Sequence, residues 1–258
     1  MSESELRERV HRNLMEVCSW NGSRLEDGVL EWRDDGLLYS ASPAVPVLNG
    51  VFREPSDADA EQLIARAHEL FADRGGRFMV YVHPDDPQLE QAALEAGLVE
   101  VLDRYPEMVC RAPLPMMHGD VRPVTDEAAA RAYWEICDVA YPSIGFPPET
   151  FSQAYTPAFA MGPDTSACVG YDPSGRPAAC ATTYMAEGLG MIGWVAVRPE
   201  ARGRGLAAAC TVWATNRVFE LGGDVASLQA SAMGEPVYRS LGYEELYAYR
   251  LIATPPAE

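Results

Sequence analysis

The chain has 258 residues, 48% of them apolar, and a formal net charge of -18 at pH 7. That apolar share supports a packed core in one large or two small domains and excludes a disordered chain. The acidic balance argues against nucleic acid as a partner, since phosphates need distributed basic charge; it fits a cationic substrate or simply a solvated acidic surface.

No apolar run is long enough to span a membrane, and the opening MSESELRERVHRNL is charged and lacks the apolar core of a signal peptide. These features predict a cytoplasmic protein without membrane contact. The chain contains no lysine, a compositional bias. Six cysteines, Cys18, Cys110, Cys137, Cys168, Cys180 and Cys210, are scattered without a C-x-x-C pair. They predict buried small apolar side chains, with neither a metal site nor a disulfide framework.

In chain order, VLNGVF reads as a strand and DADAEQLIARAHELFADRGG as a helix closed by Gly75 and Gly76. RFMVYV is a strand, PQLEQAALEAGL a helix stopped at Gly97, and VEVLDRYPEMVC a strand. The proline-rich RAPLPMMHGDVRPV reads as a linker. Thr125 is an N-cap candidate for the helix DEAAARAYWEICDVAY, which YPSIGFPP breaks. TSACVGYD and RPAACATTYM form a hairpin about PSG, and GMIGWVAV is a central strand covered on both faces.

The helix GLAAACTVWATNRVFEL places Leu206, Cys210, Trp213, Ala214 and Leu221 on one stripe. VASLQAS is a strand, EPVYRSLGY a short helix ending at Gly242, and EELYAYRLI a last strand. The two halves thus repeat strand, helix, strand, helix, strand. A tandem duplication explains this; so does the commonness of that order in α/β proteins.

The matched turns differ. The second half has RPEARGRGLA where the first has REPSDADAEQ, with Pro55, Ser56, Asp57 and Asp59 in place of glycines. A helix N-terminus leaves N–H groups without partners, glycines let an anion approach them, and arginines add charge-assisted bonds. Arg202 to Ala207 therefore form an anion cradle, or else an ordinary turn with exposed arginines. The aspartates of the first turn would repel an anion. A P-loop needs Gly-Lys-Ser/Thr, which a chain without lysine does not supply. Gly203, Gly205 and Ala208 formally meet G-x-G-x-x-G/A. However, the next strand ends in Ala230 and Ser231 instead of a ribose-binding acid, and too little chain follows for a doubly wound sheet.

A third reading of the cradle, coenzyme A, rests on a resemblance. Arg202-Gly203-Arg204-Gly205-Leu206-Ala207 after WVAV resembles the Arg/Gln-x-x-Gly-x-Gly/Ala signature of the GCN5-related N-acetyltransferase (GNAT) family. VYRSLGY, with Tyr238, Leu241, Gly242 and Tyr243, resembles the family's second motif. The resemblance runs from about Val121 onward; earlier residues resemble the family through the repeat alone. It implies an α/β fold of two tandem acyl-CoA N-acyltransferase-like domains, each a mixed, mostly antiparallel sheet flanked by helices. A degenerate N-terminal domain would occupy 1–112, a linker 113–120, and a catalytic domain 121–258.

The resemblance implies acetyl-CoA as cosubstrate, no metal, and a small-molecule amine as acceptor. Val195, Ala196 and Val197 would offer backbone groups to pantetheine and the thioester carbonyl. N–H groups from Arg202 to Ala207, including Gly203, Arg204, Gly205 and Leu206, would hold the pyrophosphate. Tyr238 would be the general acid. Ser231 stands where the family often has an asparagine contacting the cofactor arm, and Gly234 where it often has alanine.

No general base is evident. The histidines His11, His68, His83 and His118 lie outside 121–258, and Glu187 is expected at a far hairpin end. Thr183, Tyr184, Gln229 and Ser231 are polar strand residues that would order a water chain. Tyr141, Phe146 and Phe151 would line the acceptor pocket or simply cover the core. A non-catalytic acyl-CoA-binding or regulatory module is the alternative function, and a homodimer is compatible with either.

Overall fold

Ser2 starts the first helix with a reciprocal cap. Its hydroxyl accepts from Glu5 N–H at 3.2 Å, and the Glu5 carboxylate accepts from Ser2 N–H at 2.6 Å. The computed structural model describes residues 1–41, 48–54 and 58–255. Its first elements are α1 (Glu3–Arg24), β1 (Val29–Arg33), β2 (Gly36–Ser40), β3 (Asn49–Arg53), α2 (Ala60–Ala72), β4 (Met79–Val82), α3 (Pro87–Glu95) and β5 (Val99–Cys110). There follow β6 (Asp120–Pro123), α4 (Glu127–Ala140), α5 (Thr150–Ala154), α6 (Pro157–Ala160), β7 (Thr165–Tyr171), β8 (Pro177–Ala186) and β9 (Leu189–Val197). The last are α7 (Leu206–Glu220), β10 (Ala226–Gln229), α8 (Glu235–Leu241) and β11 (Glu244–Ala253). Short 3-10 turns lie at Tyr141–Ile144 and Pro199–Ala201.

Two compact units result: Met1–Glu107 with Leu246–Glu258, and Met108–Glu245. In the first, the strand order is β1-β2-β3-β4-β11-β5. β1, β2 and β3 are antiparallel neighbours, while β3 runs parallel to β4 through Gly50↔Met79 and Val51↔Val80. Leu63, Ile64, Ala67 and Phe71 of α2 and Leu89, Ala92 and Ala93 of α3 share a core with Val51, Val80 and Ile252. The fully buried Leu63 and Phe71 each contribute roughly 1.5–3 kcal/mol of transfer free energy.

In the second unit the order is β5-β10-β9-β8-β7-β6; β9 runs parallel to β10, and β6, β7, β8 and β9 are antiparallel neighbours. Cys210, Ala214 and Val218 of α7 pack on Cys168, Ala181, Ile192 and Leu228. α4 also packs on β8 and β9. Its Tyr133, Trp134 and Cys137 are buried. This is a mixed, mostly antiparallel sheet flanked by helices. No helix among the described residues is long and apolar enough to cross a membrane.

Several local expectations are corrected. α4 is capped by Asp126, not Thr125: the Asp126 carboxylate accepts from Ala129 N–H at 2.8 Å. Leu221 is exposed because it lies beyond the end of α7, and Val218 takes its place on the buried face. EELYAYRLI is a strand, but from Leu246 it belongs to the first unit, with Arg250↔Val82 to Ala253↔Met79 paired. A strand's pattern fixes its faces, not its neighbour. The 113–120 segment lies in the second unit, where Asn216 both accepts from Leu114 N–H (2.7 Å) and donates to Leu114 O (2.9 Å). His118 also lies in the second unit, exposed. All six cysteines are buried and free.

The first unit holds a histidine pair, the buried His11 of α1 and the half-buried His83 that follows β4. His11 contacts the Tyr249 hydroxyl at 2.7 Å through Nδ1 and Arg53 O at 3.0 Å through Nε2. The His83 ring lies 5.3 Å from that of His11, and His83 Nδ1 accepts from Asp85 N–H at 3.2 Å. Burial lowers the His83 pKa to about 4, with His11 adding to the fall and Asp85 opposing it. Burial also lowers that of His11, against its bond to Arg53 O and the charges of Glu54 and Asp86.

An unfolded histidine titrates near ~6.5. Below that pH the unfolded chain takes up protons that the folded chain refuses. Stability present above the unfolded value is therefore lost as pH falls toward the folded values. The urea midpoint of the first unit's transition is expected to fall between about pH 7 and pH 5, and His83→Gln to flatten that slope. A slope unchanged by His83→Gln would refute this account.

Candidate functional site

The site is built on one irregularity in β9. From Met191 to Gly193 the strand pairs with β8 as Tyr184↔Met191, Thr183↔Ile192 and Thr182↔Gly193; after the irregularity the pairs are Cys180↔Ala196 and Ala179↔Val197. One extra residue has entered β9, a β-bulge. Trp194 lies within it at φ 48°, a left-handed conformation that costs a bulky residue about 1–3 kcal/mol.

The bulge reverses which residues face β8. Before it, Gly190 N–H points to the β10 side, donating to Val225 O at 3.0 Å, so Met191 and Gly193 turn their groups to β8. After it, Arg198 N–H donates to Ala178 O at 2.9 Å, so Ala196 turns to β8. Val195 and Val197 therefore turn their N–H and C=O groups to the other edge. That edge is where β10 stops pairing: the parallel pairs are Ala226↔Gly190 and Ser227↔Met191. Of the three expected backbone residues, Val195 and Val197 face this open edge and Ala196 does not.

The turn after β9 opens a helix without capping it. Gly203 (φ 74°) and Gly205 (φ 76°) are left-handed, and an added Cβ at either meets nothing within 4 Å. Gly205 is the N-cap of α7, and no side chain caps it. The first helical bond runs from Ala209 N–H to Gly205 O at 2.9 Å. Among the described residues, the N–H groups of Gly203, Arg204, Gly205, Leu206, Ala207 and Ala208 have no partner. Arg204 is exposed, and the exposed Arg202 donates to Ser143 Oγ at 3.2 Å. Unpartnered N–H groups, a helix dipole and two guanidinium groups make a site for a polyanion.

In the first unit, the helix that follows the matching turn is capped by its own side chain. Asp59 caps α2, accepting from Glu61 N–H at 2.9 Å and Gln62 N–H at 3.4 Å. Arg53 is buried there, paired with Asp86 at 2.6 Å and donating to Ala58 O. Pro55, Ser56 and Asp57 lie outside the described residues.

Tyr238 is on α8, in one apolar cluster with Val195, Val197, Leu206 and Tyr243. Its hydroxyl has no hydrogen-bond partner among the described residues, and burial alone pushes its pKa well above the ordinary value. Tyr243, beside it, is engaged: its hydroxyl is 2.6 Å from Thr215 Oγ1. Gly234 makes the seat for Tyr238, because a Cβ there would lie 2.8 Å from ring carbon Cε2 and 3.3 Å from the hydroxyl. Ser231 Oγ accepts from Gly234 N–H at 3.2 Å, so this side chain serves the turn into α8.

Aromatic rings gather at Trp194: Phe151 at 4.9 Å, Tyr141 at 5.6 Å, Tyr155 at 6.0 Å and Phe146 at 6.2 Å between centroids. Sequence reasoning named Tyr141, Phe146 and Phe151 but missed Trp194, since nothing local announces a left-handed tryptophan. Thr183 is spent inside the core, donating to Ala214 O at 2.7 Å. Asp138 accepts from Phe151 N–H (2.7 Å) and Ser152 N–H (3.1 Å). Glu187, at φ 55°, forms the β8–β9 hairpin tip, as expected. No group of three His, Cys, Asp or Glu side chains among the described residues is arranged to hold a metal.

Residues 129–243 match the model of the Acetyltransferase (GNAT) family, and that segment belongs to it. No curated protein matches the chain. Among solved structures, a GCN5-related N-acetyltransferase from Kribbella flavida superposes with a TM-score of 0.73 at 20% identity, covering 97% of this chain and 96% of that one. A GCN5-related N-acetyltransferase from Sphaerobacter thermophilus gives 0.61 at 17% identity, covering 89% and 84%. A tandem GNAT protein from the clavulanic acid biosynthesis pathway gives 0.58 at 14% identity, covering 86% and 80%. At these identities the likeness is one of fold: the fold is that of the GCN5-related N-acetyltransferases over nearly the whole chain, including a tandem form.

Because Tyr238 occupies the space above Gly234, Gly234→Ala is expected to lower Tm by a few degrees, corresponding to about 1–3 kcal/mol of overpacking. The backbone there (φ -82°) suits alanine, so the loss is steric. An unchanged Tm would mean that the Tyr238 ring moves off this seat freely.

Proposed function

We propose that the second unit is an N-acetyltransferase domain that binds acetyl-CoA and passes the acetyl group directly to an amine, a small molecule rather than a protein, within a ternary complex. One observation carries the reading. A single unit joins an uncapped, glycine-opened helix N-terminus to a strand edge whose backbone groups face away from their neighbour where the next strand stops pairing. The first feature suits a pyrophosphate and the second an extended amide-bearing arm.

In this reading the N–H groups from Gly203 to Ala208 hold the pyrophosphate, with Arg202 and Arg204 at the rim. Val195 and Val197 supply the strand-like partner for pantetheine. A backbone N–H on that edge stabilises the oxyanion when the amine nitrogen attacks the thioester carbon. The C–N bond forms, the C–S bond breaks, and the ammonium proton passes to solvent or to the departing thiolate.

Tyr238 contributes a hydrogen bond to the developing thiolate rather than a full proton. Its raised pKa makes transfer to a thiolate, whose conjugate acid titrates near ~8.5, unfavourable. The first unit is catalytically silent: Asp59 caps the helix terminus that an anion would need. A non-catalytic acyl-CoA-binding module is favoured by one observation, the commitment of Thr183 and Asp138 to structural bonds, which leaves no evident base.

Incubation with acetyl-CoA and a panel of primary amines should release free thiol above the rate without acceptor. Tyr238→Phe is expected to lower that release about 10²-fold. Coenzyme A binding without release across a broad panel would select the non-catalytic module.

Gly205→Asp is expected to weaken coenzyme A binding at least tenfold by calorimetry while lowering Tm by only a few degrees. It puts a carboxylate at the phosphate position in open space, and its left-handed backbone strain costs about 1–2 kcal/mol. Unchanged affinity would remove the cradle assignment. One coenzyme A per chain is expected, and a measured stoichiometry of two would overturn the silent first unit.

A further inference from the structure

Both tyrosines of α4 and its C-cap reach the β9 bulge by their hydroxyls. Tyr133, fully buried, donates to Trp194 O at 3.3 Å and accepts from Thr182 Oγ1 at 2.5 Å. Tyr141 donates to Val195 O at 3.3 Å. Two successive carbonyl groups, one inside the bulge and one just past it, are thus held from the same helix. The Cys180 thiol adds a weak third contact to Trp194 O at 3.6 Å.

These contacts act at the point that decides which way the backbone faces. If β9 ran on in the register Thr182↔Gly193, Val195 would lie opposite Cys180 and turn its groups to β8. The extra residue turns them to the open edge instead. A left-handed tryptophan persists only where its surroundings over-determine it. Here those surroundings are two phenol hydroxyls and the ring cluster of Tyr141, Phe146, Phe151 and Tyr155.

We propose that Tyr133 and Tyr141 are positioning residues for acyl transfer: their hydroxyls clamp the Trp194 and Val195 carbonyl groups and so fix the backbone edge that receives the thioester. The proposal rests on the transferase reading above. It separates two parts of one site. The glycine turn sets affinity through the pyrophosphate, while the clamp sets the alignment of the reacting carbonyl. Misalignment of that kind acts on turnover.

The test uses the full chain with Tyr133→Phe and Tyr141→Phe, each removing one hydroxyl and keeping the ring. Tyr141 is half-buried at a helix end, so Tyr141→Phe serves where Tyr133→Phe folds poorly. Coenzyme A affinity is read by calorimetry, kcat and KM with the best amine of the panel, and Tm by melting. The expected result is a fall in kcat of about 10-fold with coenzyme A affinity within about twofold and an unchanged shape of the pH profile. Unchanged kcat in both variants overturns the clamp. Parallel loss of kcat, coenzyme A affinity and Tm also overturns it, because that is a structural role. Wild-type protein that binds coenzyme A and acetylates no amine removes the transferase reading and the clamp with it. Wild-type turnover matched by both variants removes the clamp alone.

Discussion

One inserted residue in β9 governs the arrangement of the second unit. An antiparallel ladder fixes the direction of every backbone group by parity, so one extra residue exchanges the two edges. Before Trp194 the odd-numbered residues face β8; after it Val195 and Val197 face away. The exchange coincides with the end of β10 pairing at Ser227↔Met191. Without that coincidence, Val195 and Val197 would turn toward an ordinary paired neighbour, with only the Val195 carbonyl held by Tyr141. With it, they lie on the edge beyond the last β10 pair, the feature on which the proposed cofactor site rests.

The two units show how similar local topology leads to different chemistry. Each runs a strand into a helix beside a parallel strand, β3 to α2 and β9 to α7. In the first, the Asp59 carboxylate caps α2 by accepting from two of its N–H groups, and the buried Arg53 pairs with Asp86. His11 and Tyr249 occupy the neighbouring core, His11 meeting the last β3 carbonyl. In the second, glycine replaces the cap and the corresponding N–H groups stay open. A protein satisfies its polar groups unless something else does so for it. The contrast therefore supports one anion site per chain.

Electrostatics refines the role of Tyr238. A phenol in an apolar cluster, without a partner, binds its proton more tightly than in water. In the proposed reaction this favours a hydrogen bond from Tyr238 over transfer of its proton. Partial burial lowers the His83 pKa in the first unit in the same sense, disfavouring its charged form. In both places desolvation, rather than a charged neighbour, sets the protonation state.

The sequence by itself determined the order of most strands and helices from β3 onward, though not β6, which lies in the stretch read as a linker, nor α5 and α6; it also determined the glycine turn at Gly203 and Gly205 and the tyrosine helix ending at Gly242. These are local signals: positive φ demands glycine, and apolar periodicity marks faces. It did not give α1, β1 or β2, which precede the repeated pattern. It misjudged the Asp126 cap and the Leu221 face by the few residues over which helix ends are ambiguous. Only the tertiary structure decided which edge Val195 presents, that Ala196 turns inward, that Ser231 is spent on Gly234, and that β11 pairs with β4. Each of those depends on a partner distant in sequence. Trp194 has no local reason to be left-handed until Tyr133 and Tyr141 arrive from α4.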